Sequence, residues 1–346
     1  ADRQQPHFSD HGRTQMMQMD ETAIKKEHEN GVSIIEPTQK IVDDICLQGY
    51  KNIFYIGIGG TYLYASQFMH IVKQLGSTIP IYLENAADFN IVGNPHFGKD
   101  SIVVIASISG DTKEIVELVD HVHAMGAKVL GYVEKKDSPL EKACDYVVTT
   151  VGGEYYFWYT VTLRFLANVG DFQKYDQFMN ELKCMPENIV TIYKESDNKA
   201  KEFADKYCDS DLIYLIGSGN LEDWATCYGM CIMEEMQWMP TRPISAANFF
   251  HGTLEVIERD VPVMLIKGED KTRALMDRVE KFVNTISACV TVFDTKEYEL
   301  KGISEEFRWL LSPLVARSSF QRVSVHLEHN RRHPLGIRRY YRRLEY

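Results

Sequence analysis

The sequence predicts an α/β protein built from two tandem doubly wound parallel sheets, each a three-layer αβα unit. Three observations carry this prediction. Two short β-branched and apolar runs, Asn52-Ile-Phe-Tyr-Ile-Gly-Ile-Gly-Gly-Thr-Tyr62 and Ser101-Ile-Val-Val-Ile-Ala-Ser-Ile-Ser-Gly-Asp-Thr112, each end in Gly, Ser and Thr ahead of a helical sequence. Such a run reads as a buried parallel strand, a tight loop and a helix N-terminus. Strand and helix then alternate with short links through the first half, the pattern of a parallel sheet covered on both faces. Finally, the pattern restarts. Asp211-Leu-Ile-Tyr-Leu-Ile-Gly-Ser-Gly219 repeats the first run, and Gly57 with Gly217 and Thr112 with Thr272 stand at one common offset. Ala288-Cys-Val-Thr-Val-Phe293 matches Ala127-Lys-Val-Leu-Gly-Tyr132 one position off that offset. A register this constant is an internal repeat.

In chain order, residues 1–20 are polar and Met-rich without a period, and the stretch 1–29 reads as an N-terminal arm, flexible or capping a partner subunit. Residues 21–48 read as helical, with Ile34, Ile35, Ile41, Ile45 and Leu47 as apolar contacts. A strand at 53–58, a helix near 61–75, and strands at 79–83 and 102–106 follow. A helix from 112 to 125, a strand at 127–133, a short helix after Asp137-Ser-Pro-Leu140 and a strand at 146–149 complete the first sheet. Residues 153–207 read as long connecting helices. The second unit has strands at 211–217, 261–266 and 288–293. The domains are therefore expected at 30–190 and 191–346, the second including the tail.

Composition narrows the function. Hydrophobic residues are 45% and charged residues 25% of a 346-residue chain, the balance of a globular protein with room for two domains. A net charge of −11 argues against nucleic acid or an acidic membrane as partner. Seven Cys, an odd number with no CxxC pair, point to reduced thiols rather than a disulfide or zinc framework. No apolar run approaches membrane-spanning length and no apolar signal core opens the chain, so a cytoplasmic setting without a membrane partner is expected.

The strand–loop–helix junctions carry the first chemical signal. Backbone N–H groups and hydroxyls converge there, and the helix dipole adds positive potential, so an anion fits, most often a phosphate. The first half offers Gly59 and Gly60, with the hydroxyls of Thr61, Ser107, Ser109 and Thr112. The second half offers Lys267-Gly-Glu-Asp-Lys271, with acids where a phosphate would lie. One phosphate site per chain is expected, in the first half.

Glu235 carries the second signal. Trp224, Tyr228, Cys231 and Glu235 follow helical spacing, so an apolar face ends in a carboxylate at a core edge or cleft. Burial there would raise its pKa and fit it for proton transfer. The competing reading is a carboxylate paired with a structural arginine. Glu234 points away and is expected in solvent. His251, in Asn248-Phe-Phe-His-Gly252, is either a loop histidine of functional use or a satisfied structural one. His326, His329 and His333 could share a helical face, but Arg331 and Arg332 sit among them and no carboxylate or Cys has matching spacing, so no metal is expected. The segment 330–346 holds six Arg and reads as a tail folded over the chain's own acidic surface or lining the anion site.

These residues resemble the sugar isomerase, or SIS, domain family. Gly59-Gly-Thr-Tyr62 is similar to the family's Cys-Gly-Ser-Ser/Thr-Tyr loop, and Ser107-Ile-Ser-Gly-Asp-Thr112 to its Ser-x-Ser-Gly-Glu-Thr loop. Asp137-Ser-Pro-Leu140 is similar to a recurrent Asp/Asn-Ser-Pro-Leu segment. Glu235 and Phe249-Phe-His-Gly-Thr-Leu-Glu255 resemble the catalytic Glu and the Phe-x-His-Gly-Pro-x-Glu loop of the isomerase half of glucosamine-6-phosphate synthase. Within the family the ketosamine-6-phosphate deglycases are the nearest likeness, through Met236-Gln-Trp238 and the ending His333-Pro-Leu to Leu344-Glu-Tyr346.

The resemblance implies that Gly59, Gly60, Thr61, Ser107, Ser109 and Thr112 hold a sugar phosphate, with Ile108 in contact through its backbone where the synthase has Gln. It implies that Glu235 and His251 transfer protons, with no cofactor. It also implies a homodimer in which the His251 loop reaches the neighbouring subunit's site. Asn248 stands where the family usually has Glu, and Thr253 where it has Pro. The synthase holds the open sugar on a C-terminal Lys, whereas no Lys follows Lys301 here, and Ile232 replaces a second synthase Lys. The expected reaction is therefore cleavage of a phosphorylated Amadori compound to an aldose 6-phosphate and a free amine. The alternatives are a phosphosugar aldose–ketose or aminotransferase-type isomerase, and a non-catalytic phosphosugar sensor.

Overall fold

The computed structural model describes residues 17–345. The polar stretch at 1–16, most of the expected arm, lies outside the described residues. Helix α1 (Glu21–Ser33) starts inside the expected arm. Asp20 caps it, its carboxylate accepting from the Ala23 N–H at 3.0 Å. Its His28 is buried and bonded to the Tyr156 hydroxyl at 3.2 Å, and burial pushes that imidazole down to about 3. α2 (Ile35–Gln48) follows after Ile34. Ile35 and Ile45 are buried as expected, but Leu47 is 86% exposed: it falls on the solvent face of the last turn.

The first sheet has the order β2-β1-β3-β4-β5, all parallel, with β1 (Asn52–Gly57), β2 (Ile81–Asn85), β3 (Ser101–Ser107), β4 (Lys128–Val133) and β5 (Tyr146–Thr149). Every residue of the central strands β1 and β3 is buried, which is why they read as unbroken apolar runs. The connecting helices are α3 (Gly60–Leu75), α4 (Ala86–Val92), α5 (Lys113–Ala124) and α6 (Pro139–Ala143), the last capped by the Ser138 hydroxyl. Then come α7 (Glu154–Asn168), α8 (Tyr175–Leu182) and α9 (Met185–Tyr207).

The second sheet repeats the first with the order β7-β6-β8-β9. Its parts are β6 (Ile213–Gly217), α10 (Glu222–Cys227), a π-helical stretch at Tyr228–Glu234, α11 (Glu235–Gln237), β7 (Thr241–Ser245), α12 (Ala246–Phe249), β8 (Val263–Lys267), α13 (Arg273–Ile286), β9 (Val290–Asp294) and α14 (Arg308–Arg331). The sequence reading missed β7. Its Pro243 lacks an N–H, which only an edge strand tolerates, and β7 is an edge strand. The repeat offset from β2 was the signal for it.

α9 and α14 tie the halves together. Met185, Ile189 and Ile192 of α9 pack in the first core with Leu310, Leu311 and Leu314 of α14. Further along, Phe203 and Ala204 of α9 pack in the second core with Phe320, Val323 and Leu327 of α14. The expected boundary at 190/191 thus falls inside one continuous helix. α14 has no single apolar face because it is buried all round. Its Arg322 reaches Asp197 at 2.6 Å, and His326 reaches the same carboxylate at 2.8 Å. No helix among the described residues is long and apolar enough to cross a membrane.

Candidate active site

In both sheets the first strand has its next neighbour in sequence on one side and its third on the other. A crevice opens at such a switch point, beyond the carboxyl ends of the strands. In the first sheet it lies between β1 and β3, and the loops 58–60 and 108–112 flank it. Gly59 has a positive φ of 57°, and neither α3 nor α5 has a side-chain cap on its N-terminal N–H groups. Gly60 faces the second half: a Cβ there would lie 3.3 Å from the Cys231 Sγ, so a side chain at this position would press on the π-helical stretch.

The hydroxyls expected to face a phosphate divide into two sets. Thr61 Oγ1 donates to the Ile58 carbonyl at 3.1 Å and accepts from the Ile58 N–H at 3.3 Å, so it closes its own turn while lining the cleft. Ser107 is buried and its Oγ accepts from the Gly110 N–H at 3.1 Å, which shapes the second loop. Ser109 and Thr112 are half-buried, and Thr112 makes no side-chain cap bond to its own helix. Ile108 is 45% exposed at the mouth. Arg342 of the tail reaches this loop, donating to Ser109 Oγ at 3.1 Å and Asp111 Oδ1 at 2.9 Å.

The corresponding crevice of the second sheet is filled. Asp270 Oδ2 accepts from the Asn220 N–H at 2.9 Å and from Gln74 Nε2 at 2.8 Å. Its Oδ1 accepts from the Thr272 N–H at 2.8 Å and the Thr272 hydroxyl at 2.6 Å. The neighbouring Glu269 is held by Arg308 through two bonds of 2.8 and 2.9 Å.

Glu235 departs from its expected setting. The π-helical stretch makes i→i+5 turns, which delays the helix's rotation. Trp224, Tyr228 and Cys231 still line the cleft between the halves, but the wall continues through Ile232 and Met236, and Glu235 lines a neighbouring groove with Trp238, Pro240 and Arg338. The carboxylate is 29% exposed and accepts from Arg338 Nε at 2.7 Å. The competing reading, a paired carboxylate, thus describes its resting contact, and the partner comes from the tail. Arg338 is itself fixed by donating to the Leu335 carbonyl at 2.6 Å. Glu234 is exposed and bonds Thr241 Oγ1 at 2.6 Å. His251 is exposed and lines neither the cleft nor the groove beside Glu235, so one chain does not bring Glu235 and His251 together.

The cleft holds a cavity of about 340 Å³ that runs inward from Gly60, Thr61 and Ile108. Its inner wall carries two residues absent from the sequence reading, Glu154 and Arg317. Burial, reinforced by the neighbouring Glu134 charge, pushes the Glu154 carboxyl up to about 8. Its only sequence signal was its place at the start of α7, straight after β5 and a Gly pair. Arg317 lies within α14, whose patternless burial hid it.

Two crevices at sheet switch points, one lined by uncapped helix N-termini, define a doubly wound α/β protein with room for an anion in its first half. Residues 47–169, which hold the whole first sheet, match the SIS domain. It is 29% identical to the fructosamine deglycase of Bacillus subtilis (strain 168), over 89% of this chain and 96% of that one. It is 21% identical to the fructoselysine 6-phosphate deglycase of Escherichia coli (strain K12), over 87% of this chain and 88% of that one. A candidate phosphosugar isomerase structure from B. subtilis superposes with a TM-score of 0.85 at 25% identity, covering 94% of this chain and all of that one. The C-terminal domain of glucosamine-fructose-6-phosphate aminotransferase from Francisella tularensis shares the fold, with a TM-score of 0.76 over 90% of this chain and 95% of that one, at 14% identity.

Proposed function

We propose that this chain is a deglycase that cleaves a ketosamine 6-phosphate to an aldose 6-phosphate and a free amine. The observation that carries the reading is a first-half crevice left open to an anion, with a carboxylate, Glu235, one helical turn beyond Cys231 of the same cleft. The names of the two relatives supply the bond that breaks.

The phosphate sits at the N-termini of α3 and α5, against Gly59, Gly60, Ser109 and Thr112, with Arg342 as a tail contact. Thr61 and Ser107 hold the two loops in shape, and Ile108 contributes backbone. Binding energy spent there fixes the reacting carbons against Glu235. The C2 carbonyl of a ketosamine acidifies the C1–H. Glu235, released from Arg338, takes that proton while the C2 oxygen gains one from water, giving an enaminol; it then returns a proton to C2 as the nitrogen gives up its own proton to water. Water then hydrolyses the resulting aldimine. One carboxylate serves both carbons as a general acid–base shuttle. Every proton in this route moves between carbon, oxygen, nitrogen, water and side chains of the protein.

His251 opens the sugar ring in this reading. It lies outside its own chain's cleft, so it acts in the site of a second copy, and the working unit is a homodimer; sedimentation should give the mass of two chains.

The test is a panel of fructosyl amino-acid 6-phosphates with fructose 6-phosphate as control, read by aldose 6-phosphate and amine release. Amine release from at least one member is expected. Interconversion of fructose 6-phosphate with an aldose and no amine release would replace the reading by a simple isomerase. Binding without any turnover would make the chain a sensor.

A further inference from the structure

Arg317 sits on α14 with its side chain lining the inner end of the cleft cavity. The one carboxylate within 4 Å of it among the described residues is Glu27, at 3.9 Å, too long for a hydrogen bond. Its other close neighbours are tyrosines, Tyr64, Tyr155 and Tyr193. Arg317 is about three-quarters buried, and a guanidinium in such a cavity wall is usually held by a hydrogen-bonded acid. The second half follows that rule, with Arg308 on Glu269 and Arg273 on Asp294.

Across the same cavity, Glu154 Oε1 is shielded from solvent and has no hydrogen-bond partner. Beside it the Glu134 carboxylate is fixed by the Tyr132 hydroxyl and the Gly152 N–H, both at 3.0 Å. The chamber therefore offers an unmatched cation on one wall and acidic groups on the other, among aromatic side chains. A zwitterion complements that pattern. A purely cationic or neutral amine would offer Arg317 no anion to pair with.

We propose that this inner chamber seats the amine half of the substrate, and that Arg317 selects amines bearing a carboxylate next to the nitrogen, that is, α-amino acids. The assignment rests on the deglycase reading, since only a ketosamine carries an amine half. The sugar phosphate occupies the outer end at Gly60 and Thr61. C1 lies between, and the substituent on its nitrogen points inward, its carboxylate meeting Arg317 in a bidentate pair. Arg317 is thus a specificity residue rather than a catalytic one.

The test is calorimetric titration in a Glu235→Gln background, where ligand is not consumed. It compares 1-deoxyfructosyl-glycine 6-phosphate with the methylamine analogue, which lacks only the carboxylate. The glycine compound should bind at least about tenfold more tightly. Arg317→Met should erase the difference and Arg317→Lys should keep part of it. Equal affinities with Arg317 present, a preference that survives Arg317→Met, or no binding of either compound would each overturn the proposal. An equal loss for both ligands in Arg317→Met, with the preference intact, would mark a structural residue and overturn it too. Failure of the deglycase reading shows separately, as wild-type protein that releases no glycine from the compound it binds.

Discussion

At the ends of β1 and β3 the chain leaves two helix N-termini without side-chain caps, whereas at the matching ends of β6 and β8 it places its own Asp270. The strand geometry is the same in both sheets. The difference lies in a few loop residues: Ser109 and Gly110 in one, Glu269 and Asp270 in the other, ahead of the shared Thr112 and Thr272. The comparison teaches that a switch point is an anion site by construction, and that a protein either lends it to a ligand or satisfies it internally. An internal carboxylate anchors the second half to Gln74 of the first. The open crevice is instead spanned by Arg342, a tail residue that docks on the loop surface.

Exchanging the two chemistries is the strongest way to break this comparison. Ser109→Asp brings a carboxylate into the first loop, where the second half carries Glu269 at the matching position. A carboxylate there should pair with Arg342 and the α5 N-terminus and weaken fructose 6-phosphate binding by at least about 100-fold, since two anions repel strongly in a partly desolvated crevice. Calorimetry reads the affinity, and a melting curve verifies the fold. Unchanged affinity would place the phosphate elsewhere.

The reverse change tests the other side. Asp270→Ala strips four hydrogen bonds from a buried carboxylate and leaves the Asn220 and Thr272 donors unmatched. It should cost about 3 kcal/mol of stability by denaturant unfolding. Sugar-phosphate affinity should stay within about threefold, because the two crevices share no residue. A loss of affinity as large as that of Ser109→Asp would show that the halves do not divide the work this way.

Much of this was legible beforehand because the central strands are buried on both faces and leave continuous apolar runs, β1 at 52–57 and β3 at 101–107 among them. The acids of the second loop were legible as acids, and the structure shows what they bond. Three things were hidden. Pro243 disguised β7, whose edge position tolerates it. The π-helical stretch broke the assumption of 3.6 residues per turn, so Glu235 falls beside the cleft wall rather than on it. The pairing of Glu235 with Arg338 joins residues far apart in sequence, and neither spacing nor composition encodes such a contact. Glu154 and Arg317 escaped for a related reason. Each lies in a helix buried too completely to show a polar face.

The most direct test of the account is Glu235→Gln, measured for both binding and turnover of whichever ketosamine 6-phosphate the wild type cleaves. Gln keeps the shape and a hydrogen-bonding oxygen but cannot accept the C1 proton. Turnover should fall by about 10²–10⁴-fold, with affinity for the sugar phosphate held within a few-fold. Turnover near the wild-type rate would contradict the central claim and remove Glu235 from the chemistry.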